Sequence, residues 1–231
     1  MRAFFDFEFT GLHQLTTPIS LGIVMENGEE FYAEFTDYDR AQITLWVEDN
    51  VLSGLFLEDT EQERAMNYYK EDRGEISSLL TCWLRKFGGT IEFWGDCLSY
   101  DWVLFNSLFG DALSIPKNVS YIPFDICTLF EIRGIDSDCN REEFARLKMG
   151  ENDRKHNALW DAKVIKKCYE RLTAPSFAYE EGNKVIIVKQ LTAFSGLKCT
   201  IKRVHFNGGS LYYELNEVPH LWPHEYLMID E

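Results

Sequence analysis

No stretch of this 231-residue sequence approaches the roughly 18 consecutive apolar residues that a membrane-spanning helix needs. The opening, Met1-Arg2-Ala3-Phe4-Phe5-Asp6, meets an acidic residue too soon for a secretory leader, so a soluble, cytoplasmic protein is expected. Paired cysteines are missing too. Cys82, Cys97, Cys127, Cys139, Cys168 and Cys199 are scattered without a CxxC motif, which predicts free thiols in a reducing compartment. Positive charge is scarce: Lys and Arg number 23 against 38 Asp and Glu, for a net charge of −15. Such a chain has no general attraction for phosphate backbones, which disfavours a nucleic-acid-coating or membrane-surface role. An enzyme that recruits divalent cations to a phosphate is still compatible with that charge. Repeats and low-complexity tracts are absent. What the sequence has in quantity is apolar and aromatic side chains, 45% hydrophobic with 17 Phe and 11 Tyr, enough for a sizeable core.

The pattern of those apolar residues predicts an α/β arrangement. Arg2 to Thr10 and Pro18 to Met25 read as strands, and Asn27-Gly28 turns the chain into a third over Glu30 to Thr36. Ile76, Leu79, Leu80, Trp83, Leu84 and Phe87 fall on one helical face that Gly88-Gly89 ends. Thr90 to Gly95 is a fourth strand and Tyr121 to Phe124 a fifth. Helices are expected over Asp101 to Phe109, Ile126 to Arg133 and about Asn157 to Leu172. From Pro175 the grammar changes to short β-like runs at Lys184 to Lys189, Leu197 to Phe206, Ser210 to Val218 and Tyr226 to Asp230, with Asn207-Gly208-Gly209 as a hairpin tip. Two domains are therefore expected, 1–174 and a small β-barrel-like module over 175–231. The aromatic residues of that module fit core or interface packing better than base stacking.

Asp6 and Glu8 stand two apart in the first strand, so their carboxylates share a face while Phe5, Phe7 and Phe9 take the other. Two negative charges on an apolar strand are costly without compensation; a metal ion would supply it, and a solvated edge strand would avoid the need. Asp101 opens a helix, where the helix dipole alone would favour it. Asp96 and Asp125 stand near strand ends, where a capping or turn role suffices. In His156-Asn157-Ala158-Leu159-Trp160-Asp161-Ala162, the neighbours three and four positions from Asp161 are Asn157, Ala158, Val164 and Ile165, none basic. Asp161 therefore needs a partner from outside its own helix.

The ordered set, DxE at Asp6 and Glu8, then Asp101, then HxxxxD at His156 and Asp161, resembles the DEDDh exonucleases of the RNase H-like superfamily. Asp6 to Leu12 resembles the first motif of that group, Ser99-Tyr100-Asp101 the second and His156 to Ala162 the third; Phe124 to Leu129 resembles the strand-to-helix step between the last two. The resemblance covers Met1 to Leu172 and is strongest to a small bacterial branch of 3′-to-5′ exoribonucleases. It implies an RNase H-like mixed five-stranded sheet flanked by helices, with the C-terminal module loosely similar to SH3-like barrels. It also implies that Asp6, Glu8, Asp101 and Asp161 hold two Mg²⁺ or Mn²⁺ ions about 3.5–4 Å apart. His156 would take the proton of the attacking water, and Thr10 and Leu12 would meet the terminal nucleotide. The implied partner is the 3′ end of RNA or DNA, with no membrane, and a homodimer is an open expectation because dimers are common in the group. Asp96-Cys97 stands where many relatives carry His-Asn, a departure that bears on contacts to the terminal nucleotide. The competing reading is a catalytically inactive RNase H-like domain that binds nucleic acid or protein.

Overall fold

In β1 (Arg2–Phe9), Phe5 and Phe7 are buried in a hydrophobic cluster on one face of a sheet, and Asp6 and Glu8 emerge on the other. The strand lies between β2 (Pro18–Met25), which runs antiparallel to it, and β5 (Glu92–Gly95), which runs parallel. Outward from β2 come β3 (Glu30–Phe35) and β4 (Tyr68–Glu71), and outward from β5 comes β6 (Phe124–Asp125). The computed structural model describes residues 1–57, 66–133, 135–148, 154–174, 179–188, 193–207 and 210–230.

The sheet has six strands in the order β4-β3-β2-β1-β5-β6, one more than the five expected. The extra strand is β4, whose four residues are all half-buried and polar or amphipathic, too short for a period-two apolar pattern to stand out. It pairs in parallel with β3 at the sheet edge, Glu34 opposite Lys70. The other strands are present, with β5 beginning at Glu92 and β6 at Phe124.

The first face of the sheet is covered by α2 (Arg73–Leu84) and α3 (Asp101–Leu108), whose side chains join Phe5, Phe31 and Phe93 in the main core. Phe93 and Phe105 lie 4.7 Å apart between ring centroids, and Phe5 and Phe93 5.3 Å apart. Asp72 caps α2 by accepting from Glu75 N at 3.0 Å. On the second face lies the start of α6 (Ala158–Thr173), where Ala158, Leu159 and Ala162 pack with Val24, Tyr32 and Leu57. A short helix not anticipated from periodicity, α1 (Leu45–Asn50), is capped by Thr44.

The chain packs as two units, residues 1–125 with 148–166 and residues 126–147 with 167–231. The second unit contains α4 (Ile126–Ile132), α5 (Arg141–Ala145), the end of α6 and five strands: β7 (Lys184–Ile187), β8 (Lys198–Asn207), β9 (Ser210–Leu215), β10 (Leu221–Pro223) and β11 (Leu227–Ile229). These strands form an antiparallel sheet in the order β10-β9-β8-β7-β11. A register shift between Ile201 and Arg203 lets the long β8 serve both halves of it. Phe144 of α5 packs on Phe130 and Phe206 at 4.7 and 5.0 Å. Asn207 pairs with Ser210; the hairpin tip at Gly208-Gly209, the strand end at Lys189 and the boundary at Pro175 lie outside the described residues. Among the described residues no helix is long and apolar enough to cross a membrane.

Gly22 of β2, paired with Asp6, sits directly beneath the first turn of α6: a Cβ there would lie 2.3 Å from the Ala158 carbonyl atoms and 2.4 Å from Leu159 Cα. Backbone cannot swing aside as a flexible side chain would. Gly22→Ala should therefore destabilise the protein by about 1–3 kcal/mol, at roughly 2–4 °C of melting temperature per kcal/mol for a chain of this size. Gly88→Ala, where a Cβ meets nothing within 4 Å, should shift the thermal melt far less.

Candidate active site

Asp6 and Glu8 leave β1 on the face that Gly22 opens to α6, so the carboxylates and the start of that helix share one space. Asp101 reaches the same place from α3. The ladder between β1 and β5 stops at Phe4, and the Phe7 N–H donates instead to Asp101 Oδ1 at 2.9 Å. That bond pins the first residue of α3 between Asp6 and Glu8, with Asp101 only 7% exposed. Asp161, in the first turn of α6, accepts from the His156 backbone N–H through Oδ2 at 3.0 Å. Asn157 caps the helix, its Oδ1 accepting from Trp160 N at 3.1 Å. The four carboxylates expected from the sequence thus converge from one strand and two helices.

Their electrostatics show how close that convergence is. Burial pushes the Glu8 carboxyl up to about 9, reinforced by the negative charges of Asp161 and Asp101 and a hydrogen bond with Asp161. Asp6 is held well above the usual carboxylate range by burial first, then by Asp101, Asp161, Glu8 and Asp96. Asp101 rises to about 6 through burial; the Phe7 N–H opposes the rise, and Asp96 and Asp125 add to it. Four acids confined so tightly call for compensating positive charge, and their hard oxygen donors fit Mg²⁺ or Mn²⁺. Glu8, His156 and Asp161 each bring a potential ligand atom within 4.8 Å of the others.

His156 stands at the entrance to α6 with φ of 63°, a left-handed conformation uncommon for a side-chain-bearing residue. Its imidazole meets the Trp46 indole from α1 in a T-shaped arrangement, ring centroids 5.0 Å apart at 74°. Thr10 is buried, its hydroxyl shared among Gln42, Thr16 and Thr17, so this position stiffens the loop after β1. Leu12, by contrast, is 78% exposed and presents an apolar side chain outward.

Three further residues stand near this site, two of them read from the sequence only as capping or turn residues and the third, Trp46, not singled out. Asp96 and Asp125 follow or end β5 and β6, strands parallel to β1, and so emerge at the same end of the sheet as Glu8. Both act on Asp101 electrostatically, beyond the turn roles expected of them, and Asp125 Oδ2 also accepts from Leu98 N at 3.3 Å. Trp46 lies on α1, for which Thr44 as a helix cap was the available signal.

The raised carboxyls couple stability to pH. Between the ordinary carboxylate range and the raised values, the folded state keeps protons that the unfolded chain has released, so folding stability falls as pH rises. In chelator, the melting temperature should therefore decline from about pH 5 to pH 8, with the contribution of Glu8 extending to about 9. Thermal scans across that range for wild type and Glu8→Gln measure it: the variant should show a shallower decline, and parallel curves would remove Glu8 from the linkage.

Residues 1–173 match the family described as the 3′-5′ exoribonuclease Rv2179c-like domain. Two proteins of Mycobacterium tuberculosis are similar as well: 3′-5′ exoribonuclease MT2234.1 of strain CDC 1551 / Oshkosh and 3′-5′ exoribonuclease Rv2179c of strain ATCC 25618 / H37Rv. Each is 31% identical to this chain over 135 residues, covering 58% of this chain and 76% of the relative. The matched span takes in β1, α3 and the helix that carries Asp161, the three elements that build the carboxylate cluster, and the chain belongs to the 3′-5′ exoribonuclease Rv2179c-like family.

Proposed function

We propose that this chain is a two-metal-dependent 3′-to-5′ exonuclease that releases nucleoside monophosphates from the 3′ end of RNA, or of single-stranded or overhanging nucleic acid. One observation carries the reading: Asp101 and Asp161 lie close enough to Asp6 and Glu8 to raise the proton affinity of both, with the His156 backbone N–H donating to Asp161. The names of the two relatives favour RNA. The α/β fold with its mixed sheet is read as RNase H-like with an added edge strand. The last sheet, in which β11 returns beside β7, is read as an SH3-like barrel.

In this reading Asp6, Glu8, Asp101 and Asp161 hold the cations. When bound, two divalent ions supply Lewis-acid charge for a phosphodiester and make a nearby water more acidic. The chain's own residues do the rest. The Phe7 N–H fixes the orientation of Asp101, and the His156 N–H does the same for Asp161, so neither carboxylate must reorganise to hold charge. An imidazole nitrogen of His156 accepts the proton of the attacking water. The left-handed backbone at His156 and the T-shaped contact with Trp46 aim that ring at the carboxylate cluster. Leu12 offers an exposed apolar side chain to the terminal nucleotide, and the Thr10 network holds its loop still.

A 5′-labelled single-stranded RNA should give a descending ladder with Mg²⁺ or Mn²⁺ and remain intact in EDTA; internal fragments appearing before any ladder would overturn the exonuclease assignment. Two substitutions should separate proton transfer from metal binding. His156→Ala should lose about 10²–10⁴-fold in rate while keeping the metal-induced rise in melting temperature. That rise is worth about 1.4–2.7 kcal/mol at roughly 10 to 100 times the dissociation constant. Asp101→Ala should lose both activity and most of the rise; an undiminished rise would mean that Asp101 is not a ligand.

A further inference from the structure

Glu34 is a carboxylate that the proposed chemistry does not use, yet it is only 1% exposed. Strand register places it on the α6 face in a row with Glu8, Ser20 and Lys70, one residue from each of β1 to β4. Its Oε1 accepts from Phe56 N at 2.8 Å, Leu57 N at 3.0 Å and the Tyr32 hydroxyl at 3.2 Å. Lys70 Nζ lies 4.0 Å from Oε2 and donates to the Leu57 carbonyl at 3.0 Å. The Phe56-Leu57 backbone is therefore gripped by an anion at its N–H groups and by a cation at its carbonyl. Tyr32 stacks on Phe56, centroids 4.7 Å apart, and closes the grip from the sheet side.

That backbone is the far end of a segment whose near end touches His156. Gly54 O accepts from Asn157 Nδ2 at 3.3 Å, and a Cβ on Gly54 would lie 3.6 Å from the His156 carbonyl oxygen. At the start of the same segment, Trp46 meets the imidazole itself. Residues 46–57 thus form a wall that contacts His156 at its ring and beside its backbone. A left-handed conformation such as the 63° φ of His156 persists only where the surroundings over-determine it. We propose that Glu34 is a positioning residue for His156: by clamping Phe56 and Leu57 it holds the 46–57 wall that keeps the imidazole aimed at the carboxylate cluster. This inference rests on the reading of His156 as the base.

The test is a double-mutant cycle on the full chain, read as kcat and KM for a 5′-labelled RNA below the melting temperature of every variant. Glu34→Leu should lower kcat by about 10- to 100-fold with little change in KM, because the base is displaced and the carboxylates are not. Glu34→Gln retains an acceptor oxygen for both N–H groups and should restore most of kcat. In a His156→Ala background, Glu34→Leu should cost no more than about twofold, since a misaimed base no longer matters. An equal loss in both backgrounds would make Glu34 merely structural and overturn the proposal, as would Glu34→Gln being as slow as Glu34→Leu. If Glu34→Leu melts below the assay temperature, Lys70→Met loosens the same peptide from its other side and takes its place in the cycle. Failure of the nuclease reading itself is distinguishable, because it would appear as an inert wild type or as His156→Ala turning over at the wild-type rate.

Discussion

Because Gly22 has no side chain, the first turn of α6 occupies the space one would take. This close approach sets the spacing between the sheet and the helix that carries Asp161, opposite the strand that carries Asp6. A larger residue would push α6 outward and separate Asp161 from Glu8, with which it is hydrogen-bonded. The helix is capped by Asn157, and Asn157 is tied in turn to Gly54, so the same contact governs where the His156 loop can lie. Packing on the opposite face, where Phe5, Phe93 and Phe105 interlock, gives β1 the rigidity to hold its two acids against it.

The carboxylate cluster is the place where the molecule is least at ease with itself. Burial and mutual repulsion both work against ionisation of Asp6 and Glu8, and for Asp101 only backbone hydrogen bonds, the Phe7 N–H foremost, pull the other way. Elsewhere the chain handles its excess negative charge differently: Asp39 and Asp72 cap helices, and Glu34 is met by three donors and a lysine. Among the described residues, repulsion gathered at one end of one sheet marks a candidate functional site more sharply than net charge does.

The alternation of Phe and acid in β1 already assigned both faces of the strand, and the lack of a basic neighbour around Asp161 already required a partner from another element. Those features were legible because they depend on local periodicity. The six-stranded width of the sheet was not, because Tyr68 to Glu71 is recognisable only through its pairing with β3. Asp96 and Asp125 read as turn residues for the same reason: their neighbourhood is created by parallel pairing of β1, β5 and β6, which no local pattern announces. The wall from Trp46 to Leu57 was likewise hidden, since its hold on His156 runs through backbone groups of Gly54, Phe56 and Leu57.

The bond from the Phe7 N–H to Asp101 joins residues 94 apart in the chain, and the bond from Asn157 to Gly54 joins residues 103 apart. Contacts of such sequence separation carry a large loop-closure cost and form late in folding. During synthesis, β1 emerges first with its two acids and waits for α3 and then α6 before the cluster closes. A nascent chain therefore holds only fragments of the cluster until α6, which carries Asp161, can pack on Gly22.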